Sequence, residues 1–203
     1  MRYLALDLET TGFDPERDRV IEVGAVAFDE AGVETRLERL TDPGRAVPDA
    51  VLRLTGIDPA DLVLAPPPDA PLRELAVLLQ GRTAVGHGAR LDVDFLTAAG
   101  IWPPGEEILD TLDLARILLP DAPSHSLQGL VAWFGLRQPR PHRALDDADA
   151  TRQLLLHLRQ VAAGFRDEVK RSLIDLVAPY VWPLARFLAE SLTLPERSLP
   201  VQP

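Results

Sequence analysis

Apolar and polar positions along the chain change their period several times, and each change marks an element. Arg2 to Leu8 is nearly continuous in apolar residues, as a buried strand requires. From Arg19 to Phe28 apolar positions alternate, which predicts a second strand. Asp14-Pro15-Glu16-Arg17-Asp18 between them reads as a hairpin-like turn, and Gly32 breaks the next turn before a strand around Val33 to Leu40. Three antiparallel strands fit this order.

The period then lengthens. A helix carrying Leu52 and Leu54 precedes Thr55-Gly56-Ile57, and Ala65-Pro66-Pro67-Pro68 forms a stiff loop. Asp69 is placed to cap a helix running to Gln80. Thr83 to His87 is a short buried strand, and Ala89 to Ala99 a helix ending at Gly100. Ile108 and Leu109 lead into Asp110, expected to cap a helix with Leu112, Leu114, Ile117 and Leu118 that Pro120 ends. Ser126 caps another helix, and the last core helix runs from about Leu145 to Val161. Taken alone, the pattern supports an α/β class.

Residues 1–164 and 165–203 read as separate units. In the second, Val169, Leu173, Leu176, Val177, Val181, Leu184, Leu188 and Leu192 recur at helical spacing, interrupted at Pro179 and Pro183. Its charges balance, so the first unit carries the whole net charge of −10. An apolar helical extension must cover something: the core, a second copy or another protein.

Absence of cysteine excludes disulfides and thiolate metal sites. No apolar run approaches the roughly 20 residues of a membrane span, and the first strand begins too early for a signal peptide. A cytoplasmic protein without membrane contact is expected. The acidic balance opposes nucleic-acid binding unless divalent ions, or another domain, supply positive charge.

The candidate chemistry lies in three separated strings: Asp7-Leu8-Glu9-Thr10-Thr11-Gly12, His87-Gly88-Ala89-Arg90-Leu91-Asp92 and His142-Arg143-Ala144-Leu145-Asp146-Asp147-Ala148. Asp7 and Glu9 share one strand face because side chains alternate. Carboxylates gathered from distant segments repel one another unless a cation neutralises them, and their oxygens suit Mg²⁺ or Mn²⁺. Beside such a cluster, His142 can remove a proton from water near neutral pH. The residues predict a two-metal phosphodiesterase.

These motifs, in this order, resemble the DEDDh 3′–5′ exonucleases, the family that includes the proofreading subunit of the bacterial replicative DNA polymerase. The similarity spans about residues 2 to 160. It implies a ribonuclease-H-like fold, a mixed sheet of three antiparallel strands and then parallel ones, flanked by helices. It implies that Asp7, Glu9 and Asp147 hold one cation, that Asp7 and Asp92 hold a second, and that His142 is the general base. Thr10, Thr11 and Gly12 would approach the terminal sugar through backbone groups, Phe13 would stack on the last base, and His87 would contact substrate or serve structure. The implied substrate is a single-stranded DNA 3′ end, with RNA an alternative. A helicase or polymerase is the implied partner or fused domain, and a degenerate fold that merely tethers one is the rival reading. Gly88 stands where the family commonly has asparagine and Leu91 where it has phenylalanine; neither is a metal ligand. Asp146, Asp94 and Asp149 are expected at the surface, and His125 and His157 in surface or capping roles.

Overall fold

The computed structural model describes residues 1–179 and 183–192. Three antiparallel strands come first, as the alternation predicts: β1 (Tyr3–Thr10), β2 (Val20–Asp29) and β3 (Gly32–Leu40). Then follow α1 (Asp49–Thr55), α2 (Pro59–Val63), α3 (Asp69–Leu79), β4 (Thr83–Gly86), α4 (Arg90–Ala98) and β5 (Leu109–Asp110). The remaining elements are α5 (Thr111–Leu118), α6 (Leu127–Phe134), α7 (Ala144–Ala163), α8 (Asp167–Val177) and α9 (Pro183–Leu192). The strands form one mixed sheet in the order β3-β2-β1-β4-β5, with β4 parallel to β1 and β5 parallel to β4.

Central β1 explains where the acidic residues emerge. Its even-numbered Leu4, Leu6 and Leu8 join Leu72 and Leu75 of α3 and Phe95 and Leu96 of α4 in one core layer. Tyr3 and Ala5 face the other way, into a layer with Leu114 of α5, Leu130 of α6 and Leu154 and Leu158 of α7. Asp7 and Glu9 continue that odd-numbered row. They therefore leave the core on the side that α7 crosses.

The start of α7 rests directly on β2. Gly24 is paired with Asp7 across the β1–β2 ladder, and a Cβ added there would overlap the Ala144 backbone. Gly24→Ala is expected to cost about 1–3 kcal/mol, the usual range for overpacking, and to lift the first turn of α7 off the sheet. Thermal unfolding checks this; an unchanged Tm would mean that the helix is not seated there.

Local signals were read with mixed success. Ser126 caps α6 by accepting from the Gly129 N–H at 3.1 Å, and Asp110 caps α5 through the Leu112 N–H at 2.8 Å. Asp69 does not cap: it is the first residue of α3, and Pro68 holds the cap position with no side-chain bond. The short α2, capped by Asp58, was not predicted. In the tail, Phe187 and Leu188 of α9 are buried in the α7-side core, with Leu173 and Ile174 of α8 against its edge. Val181 of the apolar series lies outside the described residues.

Candidate active site

Three elements deliver the predicted carboxylates to one place. Asp7 and Glu9 come from the end of β1, Asp92 from the first turn of α4 and Asp147 from the first turn of α7. Asp92 is tied to the strand: its Oδ1 accepts the Leu8 N–H at 2.8 Å. Asp147 accepts from Gln138 Nε2 at 2.7 Å and from the His142 N–H at 3.3 Å. Glu9, His142 and Asp147 each present a ligand atom, all within 4.8 Å of one another. Asp7 and Asp147 also line a cleft of ≈ 450 Å³, walled by His87, Leu112, Arg116, His125 and the start of α6.

The electrostatics show what this convergence costs. Burial pushes the Asp7 carboxyl well above the usual carboxylate range, and the charges of Asp92, Glu9, Asp147 and Glu22 push it further. Glu9 is pushed up to about 8, first by burial and then by Asp147, Glu22 and Asp92, against an opposing pull from Arg143. Asp92 rises to about 7 through burial, although the Leu8 N–H bond favours its charged form. Asp147 also rises through burial, with Gln138 and His142 opposing. Hard oxygen donors that repel one another in a recess fit a divalent cation. Among the described residues, Glu9, His142 and Asp147 are close enough to hold one such ion.

A pH dependence follows. Unfolded Asp and Glu titrate near 4, whereas the folded protein holds protons on Asp92 and Glu9 up to about 7 and 8. A folded-state pKa raised in this way contributes stability that is complete below the unfolded value and is lost as pH rises through the folded one. Without cations, Tm is expected to fall from pH 5 to pH 9. Mg²⁺ or Mn²⁺ should restore it, most strongly at the alkaline end. A Tm that stays level over this range and ignores both ions would contradict the site.

His142 has a backbone φ of 61°, the only positive φ outside glycine among the described residues. Such a conformation costs on the order of 1–3 kcal/mol and persists where neighbours enforce it. Sequence reasoning missed a neighbour of this loop, Glu22, which is 0% exposed and accepts from Arg143 and the Ala144 N–H. The signal was present: a lone acid inside the otherwise apolar strand Val20–Phe28.

The remaining site residues fall into two groups. Phe13 is 86% exposed, so it is not folded onto the core. The Thr10 hydroxyl donates to the Gly12 carbonyl at 2.6 Å. Thr11 is occupied by the turn: its N–H donates to the Arg19 carbonyl and its hydroxyl to Asp18 at 2.8 Å. A Cβ at Gly12 would overlap the Asp18 carboxylate, which would have to shift. His87 bonds Thr111 Oγ1 at 3.0 Å and the His125 carbonyl at 2.9 Å, and burial lowers its pKa. Both its ring nitrogens are hydrogen-bonded at the cleft wall. Asp146 is not a free surface charge, because Arg140 Nε reaches it at 2.6 Å. Asp149 is likewise held, by Arg152 at 2.8 Å and Arg36 at 3.6 Å.

A family profile described as Exonuclease matches residues 4–155, a span that contains every carboxylate above. The chain belongs to the RNase_T exonuclease family. Among relatives of this RNase_T domain, the DNA polymerase III subunit epsilon of Treponema pallidum is 35% identical over 158 residues, covering 75% of this chain and 74% of that protein. The 3′-5′ exonuclease DinG of Bacillus subtilis is 32% identical over 162 residues, covering 77% of this chain. The chain spans only 17% of that relative's length. E. coli exonuclease I, solved in complex with a dT13 oligonucleotide, superposes with a TM-score of 0.66 at 21% identity, covering 78% of this chain and 41% of that one. The ribonuclease-H-like fold is thus shared well beyond the range of close sequence similarity.

Proposed function

We propose that the chain is a metal-dependent 3′–5′ exonuclease that releases nucleoside 5′-monophosphates from single-stranded DNA ends. One observation carries this reading: Asp7, Glu9, Asp92 and Asp147 meet in a recess where each is pushed toward protonation, with His142 alongside. DNA is favoured over RNA by the relatives, one named as a DNA polymerase subunit and one solved with a dT13 strand.

Bound between these carboxylates, two divalent cations would stabilise the attacking and leaving oxygens of an in-line displacement. His142, beside Glu9 and Asp147, takes the proton from the attacking water. Gln138 and the His142 N–H fix the rotamer of Asp147, and the Leu8 N–H fixes that of Asp92. Phe13 offers a bare ring on which the terminal base can stack. Arg116 supplies the cleft wall with a cation for backbone phosphate, which an acidic chain needs.

Residues 1–164 form the exonuclease domain in this reading, and 165–203 are an extension of which the described helices α8 and α9 pack on its α7 side; a helicase or polymerase is the proposed partner or fused domain. No helix among the described residues is long and apolar enough to cross a membrane. The test is incubation with 5′-labelled single-stranded DNA or RNA, with Mg²⁺, Mn²⁺ or chelator. A ladder shortening from the 3′ end, on DNA and only with cation, is expected. Shortening from the 5′ end, or in chelator, would refute the reading; a preference for RNA would reassign the substrate.

A further inference from the structure

Glu22 and Arg143 have no place in the chemistry above, yet they form a buried, two-pronged charged pair beside it. Glu22 is fully buried on β2, directly opposite Glu9 in the β1–β2 register. Its carboxylate accepts Arg143 Nη2 at 2.7 Å and Arg143 Nε at 3.1 Å, and its Oε2 also accepts the Ala144 N–H at 3.0 Å. Arg143 sits between the strained His142 and the first turn of α7. Its own side chain makes no cap bond for that 20-residue helix. A carboxylate from a distant strand therefore caps α7, where negative charge suits the exposed N–H groups. Farther out, Arg140 joins Asp146 at 2.6 Å and Glu38 at 2.9 Å, and Glu38 lies 3.6 Å from Arg143.

We propose that Glu22 and Arg143 are positioning residues, a buried latch that fixes His142 and Asp147 relative to the β1 carboxylates. The two-pronged bond sets both the direction and the height of residue 143 above the sheet. His142 is its covalent neighbour on one side, and Asp147 lies one helical turn away on the other, with its N–H bonded to the Arg143 carbonyl at 2.9 Å. The Arg143 guanidinium also offsets part of the charge that Glu22 presses on Glu9. A lysine supplies the charge without the planar fork and would leave the loop free to shift.

This inference rests on the exonuclease reading, and the same assay separates the two. Arg143→Lys should lower kcat by roughly 10–100-fold, the range for groups that orient metal ligands, with KM and Tm close to those of the wild type. Arg143→Met alone strands a buried carboxylate and should lower Tm. Adding Glu22→Met removes that charge and should restore Tm, while kcat stays low. Wild-type kcat in Arg143→Lys, or kcat recovering together with Tm in the double variant, would show a purely structural pair and overturn the proposal. If the double variant does not fold, Arg143→Lys decides alone. A wild-type chain that cleaves no DNA would remove the exonuclease reading, and the latch with it.

Discussion

Asp7→Asn is expected to lower turnover by roughly 10²–10³-fold, the loss seen when a preorganised transition-state contact is deleted, while raising the Tm of the metal-free protein. The two effects share one cause. Burial and four neighbouring acids, Asp92, Glu9, Asp147 and Glu22, push the Asp7 carboxyl well above the usual carboxylate range. Removing its charge relieves repulsion that the empty fold must otherwise bear, and the same change removes the oxygen shared by both proposed cation positions. Function here is set against stability, as in many active sites. Steady-state cleavage and thermal unfolding in chelator measure the two sides. An active variant, or one whose Tm falls, would show that Asp7 is an ordinary strand-end acid.

His142→Asn should reduce kcat by ~10²–10⁴, the usual contribution of a positioned general base, with cation-induced stabilisation preserved. Asparagine is the suitable replacement because it tolerates the left-handed backbone that His142 adopts at φ 61°. The fold should therefore survive, and loss of activity reads on the imidazole alone. Thermal shift with Mn²⁺ and single-turnover cleavage separate the outcomes. If turnover persists unchanged, another group removes the proton; if the Mn²⁺ shift disappears as well, His142 is a metal ligand.

How much of this was legible in the chain depended on whether the signal was local. The strands of the first hairpins, the caps at Asp110 and Ser126, and the shared face of Asp7 and Glu9 are short-range properties of period and turn chemistry. They could be read directly. Convergence of Asp92 and Asp147 on that face is not local, and only the motif order suggested it. Glu22 stands out as the lone acid of an apolar strand, but its mate, Arg143, lies 121 residues away, so the pairing itself has no local signal. Gly24 gave no sign of a helix seat, since a glycine in a strand is equally consistent with a bulge. Asp69 was misread because Pro68 occupies the cap position ahead of it. Thr11 and Gly12 looked like substrate contacts, yet much of their chemistry is directed to holding Asp18 and the turn.

The account's central claim is spatial, and crystals soaked in Mn²⁺ test it most directly. Anomalous difference maps should show one peak bounded by Asp7, Glu9 and Asp147 and a second between Asp7 and Asp92, both lost in Asp7→Asn. Peaks confined to other surface acids, with the recess empty at saturating Mn²⁺, would contradict it.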